Sequence, residues 1–224
     1  MLKRLLGITL LLILATQVFP MEFGLKGGVN NFGFSGDMKF KKEMGFQGGF
    51  YVNIPISSRF SLQPELYYIN NNTEYSSAGQ YYSTITIYIP PFWWIITTLH
   101  KWDYTNEFSV GWLNLPLLAK FTPIKTGKFR LGLLAGPYAA YRMSCKVVKI
   151  DHLENDARTT VDKWGGDDFK KVDAGATFGI NLEMLMKKAK LILDLRYNLG
   201  LLKVDKPSNM KTNSIMDMIG IGFE

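Results

Sequence analysis

Few residues in this chain are of types that do chemistry, and their spacing is poor for it. There are two histidines, His100 and His152, and one cysteine, Cys145. They are too scattered to match a zinc-ligand spacing. Ser83 and Ser109 lie near His100 in the sequence, and a histidine base could activate either of them as a nucleophile. No G-x-S-x-G elbow accompanies them. Asp167-Asp168 follows Gly165-Gly166 and reads as a turn. One carboxylate pair falls well short of the six to eight oxygens calcium takes. Gly24-Leu25-Lys26-Gly27-Gly28 has no G-x-x-x-x-G-K-[ST] around it, so it is not a phosphate loop. The expectation is no metal, no cofactor and no enzymatic activity. A lipid-modifying enzyme using His100 with Ser83 or Ser109 stands as an alternative.

The remaining charges sit in an unusual context. In KLILDLRYNLGLL, Lys190 to Leu202, leucines recur at every second position, with Asp194 and Arg196 on the opposite face. A soluble sheet turns its apolar face inward and its charges outward. A sheet immersed in lipid does the reverse.

The elements that would position these charges repeat with period two. The apolar sets are Phe23–Val29, Phe46–Ile54, Phe60–Tyr68, Leu113–Phe121, Leu131–Ala135, Val172–Leu182, Leu191–Leu199 and Ile219–Phe223. That makes eight strands, most near the roughly 9–11 residues a tilted transmembrane strand needs. The connections alternate long (31–43, 70–107, 146–169, 203–213) and short (57–59, 122–128, 185–190). Four long loops and three short turns fit an even-stranded outer-membrane barrel with both termini on the short-turn side. Pro55, Pro64, Pro116 and Pro137 fall within these strands. A closed barrel has no free edge to tolerate proline, so they are expected at strand ends or bulges.

The aromatic share of 14% and the 21 glycines suit β structure. Residues 1–20 combine a basic start, MLKR, with the apolar run LLGITLLLILA, too short to span a bilayer comfortably. They read as a signal peptide with cleavage near Met21, and a membrane anchor is the rival reading. Residues 21–224 form the barrel domain. Lys3 and Arg4 are the signal region's only charges, so the formal +7 falls to +5 without it. Nucleic acid is not an expected partner for an exported chain of that charge. A lone cysteine leaves no internal disulfide framework.

With the apolar face outward, the interior charges are Lys26, Lys120, Arg130 and Arg196 against Glu65, Asp173, Glu183 and Asp194. Four bases face four acids, as paired charges in a filled lumen would require. The longest loop contains YYSTITIYIPPFWWIITTLHKW, Tyr81 to Trp102. Three overlapping readings are open for it. It is a hairpin extending two strands above the membrane, an interfacial anchor through Trp93, Trp94 and Trp102, or a partner surface in which Phe92, Trp93 and Trp94 take part.

Several stretches resemble the outer-membrane β-barrel domain proteins often labelled porin family, related in shape to small OmpA/OmpX-type barrels. They are FGLKGGVN (Phe23–Asn30), GFQGGFYVNIPIS (Gly45–Ser57), RFSLQPELYY (Arg59–Tyr68), LNLPLLAKF (Leu113–Phe121), FRLGLLAGPYAAY (Phe129–Tyr141), LILDLRYNLGL (Leu191–Leu201) and IGIGFE (Ile219–Glu224). The resemblance covers the strands and leaves the long loops unmatched. It implies an all-β fold: an eight-stranded antiparallel transmembrane β-barrel, an up-and-down meander with long extracellular loops and short periplasmic turns. It implies outer-membrane lipid and the barrel-assembly machinery as partners. Such barrels usually end on an aromatic residue that this machinery recognises, and here Glu224 follows Phe223.

The leading expectation is a monomeric, non-enzymatic outer-membrane protein with a side-chain-filled lumen. It would serve envelope integrity and present its loops, above all 70–107, for adhesion or partner binding. Besides the rim enzyme, the alternatives are a narrow channel or secretion component, and a soluble periplasmic lipid-binding barrel.

Overall fold

The computed structural model describes residues 21–35, 41–152, 157–160, 170–203 and 210–223. Within these, alternating segments form nine strands: β1 (Glu22–Ser35), β2 (Lys41–Pro55), β3 (Phe60–Ile89), β4 (Phe92–Thr126), β5 (Phe129–Asp151), β6 (Ala157–Thr160), β7 (Val172–Leu185), β8 (Ala189–Gly200) and β9 (Lys211–Phe223). Residues 1–20, Asp167-Asp168 and Glu224 lie outside the described set.

Eight of the strands close a ring. Each is antiparallel to its neighbour, in the order β1-β2-β3-β4-β5-β7-β8-β9, and β9 returns to β1. The short β6 pairs only with the end of β5, Val148–Asp151. The paired registers, carried across short interruptions, lead from Leu25 through Phe50, Leu66, Leu115, Ala139, Ala174, Leu201 and Lys211 to Ser35. The circuit ends about ten residues further along β1. A stagger of that size with eight strands corresponds to a tilt of roughly 40° and an interior only wide enough for side chains.

The turns at 56–59, 127–128 and 186–188 lie at the end that holds Met21 and Phe223, the first and last described residues. Gly127 has φ 53°, the left-handed conformation its two-residue hairpin turn requires. The other end is longer and irregular. Of the three readings open for the loop 70–107, the structure has the hairpin that extends two strands: β3 and β4 pair without a register shift as far as Ile89 and Phe92, so most of the loop is strand.

Pro55 ends β2, but Pro64, Pro116 and Pro137 lie inside β3, β4 and β5. None marks a bulge. Individual pairs lapse beside Pro64 and Pro116, yet the register resumes unshifted beyond them. The ring absorbs missing N–H donors locally because the ladders on either side hold the strands in place.

The faces are inside out relative to a soluble barrel. Leu25, Leu193, Leu195 and Tyr197 are exposed, while Asp194 and Arg196, which alternate with the last three, are buried. Exposed Phe23, Phe60, Phe129 and Phe223 ring the short-turn end, and Phe46, Tyr68, Tyr141 and Tyr197 lie toward the other. An outward apolar band between aromatic girdles is the pattern of a membrane-spanning barrel. It overturns the soluble lipid-binding alternative, which needed the leucines inside.

Candidate functional site

The lumen is stacked in tiers. Nearest the short turns, Glu22, Lys120, Glu183 and Lys190 form a chain of ion pairs. Lys120 and Lys190 both reach Glu183, the latter at 3.3 Å, and Lys190 also binds Glu22. Arg130 stands at the rim of this tier, its side chain 30% exposed and 3.9 Å from Glu22. It is therefore a rim residue rather than an interior charge.

The Tyr51 ring roofs this tier, with Lys26 Nζ 4.4 Å and Lys190 Nζ 6.0 Å from its centroid. Next come Lys26, Glu65, Asp194 and Arg196. Lys26 Nζ donates to Asp194 at 2.6 Å and to Glu65 at 3.3 Å. Both terminal nitrogens of Arg196 donate to Glu65, and Nη2 also donates to Asp194 at 2.5 Å. Gln63 and Asn181 donate to the two carboxylates as well. Two bases and two acids, each 5% exposed or less, thus share one closed set of hydrogen bonds.

Above them the lumen turns apolar. Tyr67, Ile69, Val110, Trp112, Tyr138, Ala140, Met216 and Met218 pack into one buried cluster. Asp173 lies beyond it and, among the described residues, meets no base. Its carboxylate accepts from Thr212 at 2.6 Å, Tyr138 at 3.1 Å and the Ala174 N–H at 2.8 Å. The expected balance of four bases against four acids is corrected accordingly. Asp173 is held by neutral donors, Arg130 is at the rim, and Glu22 and Lys190 enter the network. Alternation did carry a signal for both. Glu22 shares the parity of Lys26, and Lys190 that of Asp194.

The second feature is the ribbon. Among the described residues, β2 accompanies β3 only as far as Glu74, and β5 accompanies β4 only from Tyr104. Between those points no other described strand pairs with β3 or β4. About 12 residues per strand, Ala78–Ile89 and Phe92–Asp103, at roughly 3.3 Å each give a free ribbon of about 40 Å. Phe92, Trp93 and Trp94 are exposed at its end, and Trp102 is exposed lower down.

The ribbon also brings Ser83 Oγ within 2.8 Å of His100 Nε2, with Tyr81 stacked on the imidazole at 4.8 Å. Among the described residues no carboxylate orients that ring. Ser109 lies elsewhere, bonded to Asn70, and His152 bonds Thr105. No group of three or more potential metal ligands gathers among the described residues. At the ribbon's base, outside the lipid band, the Lys41 ammonium donates to Glu74 at 3.2 Å. That bond, with the charges of Glu74 and Glu43, raises its pKa above the ordinary lysine value.

A closed antiparallel ring with an apolar outer band and buried charges defines an integral outer-membrane barrel. Residues 17–206 match the outer membrane protein beta-barrel domain model, and the chain belongs to that family. Solved structures similar to it include Ail, the attachment invasion locus protein of Yersinia pestis, at 10% identity. That alignment covers 90% of this chain and 97% of Ail, with a TM-score of 0.40. Neisserial surface protein A is similar at 12% identity, covering 90% of this chain and 96% of that one, with a TM-score of 0.38. The N-terminal barrel domain of Pseudomonas aeruginosa OprF gives 12%, 89%, 96% and 0.35 for the same quantities. No curated protein matches the chain. The protein resides in the outer membrane.

Proposed function

We propose that this protein is a non-enzymatic surface barrel whose plugged wall anchors the β3–β4 ribbon and presents it for adhesion or partner binding. The observation that carries this reading is the free ribbon. Soluble surfaces rarely leave so large a contiguous apolar area uncovered unless it meets something. The tiers below suit an anchor better than a channel. Tyr51, Tyr67 and the two ion clusters are buried, and the apolar cluster lies across the lumen above them. Ser83 and His100 are read as a cross-strand hydrogen bond within the ribbon.

The test is to excise residues 79–102 and join Ala78 to Asp103, which face each other in register, through an Asn-Gly turn. Cells displaying the shortened barrel should lose adhesion to surfaces that the wild type binds. The barrel itself should keep its heat-dependent gel shift. Undiminished adhesion by the shortened barrel would refute the proposal. Replacing Ser83 by Ala should leave adhesion unchanged.

A further inference from the structure

The ribbon changes character along its length. Its base is charged, with Lys41 bonded to Glu74. Its stem is hydroxyl-rich, and Thr84 faces Thr97 across it. From Tyr75 to Leu99 there is no acid and no Lys or Arg. Its tip, residues 85–96, is aromatic and aliphatic on both faces but for Thr86. Ile85 opposes Ile96 and Ile87 opposes Trp94 on one face, and Tyr88 opposes Trp93 on the other. The Tyr88 and Trp93 rings lie 4.3 Å apart.

What covers such a tip must be apolar all round. A strand added to either edge would satisfy backbone groups and leave both faces wet. A protein groove would cover one face. The interface of a lipid bilayer covers both, takes Trp and Tyr readily, and demands the absence of charge seen here. The open edges set the depth. Their N–H and C=O groups need water, which confines the tip to the headgroup and upper acyl region. Bulges are what bend paired strands, and the β3–β4 register has none. No bulge therefore turns the ribbon back toward the membrane that holds the barrel, and we take it to continue the wall outward.

We propose that residues 85–96 form a lipid-docking tip that inserts into the interface of a second, apposed bilayer. This rests on the ribbon being the protein's contact element. The experiment uses the full-length chain in nanodiscs of ordinary phosphatidylcholine, mixed with protein-free phosphatidylcholine vesicles whose acyl chains are brominated. Wild-type nanodiscs should float with the vesicles, and their tryptophan fluorescence should be quenched by bromine present only in the second membrane. A Trp93→Ser, Trp94→Ser variant that keeps the heat-dependent gel shift should bind vesicles at least about tenfold more weakly, roughly 1.4 kcal/mol. Failure of the wild type to float, or equal flotation of the variant, overturns the proposal. Cell binding separates the two levels. If nanodiscs bind cells through the ribbon but ignore vesicles, the partner is a protein and the lipid-docking proposal fails alone. If the barrel shortened between Ala78 and Asp103 binds cells as well as the wild type, both readings fail.

Discussion

Replacing Arg196 with Leu tests whether the middle ion cluster supports the barrel. Arg196 makes three charge-assisted hydrogen bonds, two to Glu65 and one to Asp194. Bonds of that kind contribute about 1.5–3 kcal/mol each, which sets an upper bound of several kcal/mol. The loss should fall below that bound, because Lys26 still contacts both carboxylates. What remains is one buried negative charge in excess, and breaking a buried pair in this way costs about 3–5 kcal/mol. We expect the Leu variant to unfold at a clearly lower urea concentration in lipid vesicles, read by loss of the heat-dependent gel shift. A second variant isolates the electrostatic cause. Arg196→Met with Asp194→Asn leaves Lys26 facing Glu65 alone, a balanced pair. It should recover most of the loss despite carrying two substitutions. A single-variant midpoint within error of wild type would refute the reasoning. So would a double variant weaker than either single one, since the cost would then come from packing rather than charge.

Asp217 is, among the described residues, the one charged side chain facing outward within the lipid band, between Ile215 and Ile219. Asp217→Leu should stabilise the barrel in vesicles by about 1–2 kcal/mol, less than the cost of a basic residue at that depth. The effect should shrink in detergent, and a destabilised variant would contradict the assignment of that face. Gly49→Ala should destabilise or prevent folding. The added methyl would run into the Leu66 carbonyl and come within 2.7 Å of Tyr67 Cα, backbone that the ring cannot move. Recovery of Gly49→Ala at wild-type stability would show the wall there to be more yielding than the structure indicates. In planar bilayers the wild type should show no stable open-channel conductance, and regular single-channel steps would restore the channel reading. N-terminal sequencing of protein from outer membranes should begin near Met21, whereas a chain starting at Met1 would favour the membrane anchor.

The wall of the barrel was legible because lipid and lumen impose opposite demands on alternate residues, and that conflict writes a period of two into the chain. Leu193, Asp194, Leu195 and Arg196 record it most clearly. What alternation lacks is height along the barrel axis. Counting signs on the inner face set Asp173 against a base, yet it sits at the end of β7 remote from the short turns, above the apolar cluster and away from Lys26 and Lys120. Lys190 was lost for the opposite reason. It follows Lys187 and Lys188 and reads with them as turn, although its parity aims it inward.

The ribbon marks the physical limit of the same argument. Once β3 and β4 rise past Glu74 and Tyr104 there is no lipid on one side and no lumen on the other. No force then selects apolar residues at alternate positions. Thr84, Ile85, Thr86, Ile87 and Tyr88 form strand all the same, on β-branched and aromatic propensity and on cross-strand pairing alone. A two-stranded ribbon is marginal in water without a covered face. The unrelieved exposure of Ile95, Trp93 and Phe92 at its tip is then a cost that folding does not repay. Contact with an apolar surface would remove that cost, and for this reason the apposed membrane is the place to look for what this barrel holds.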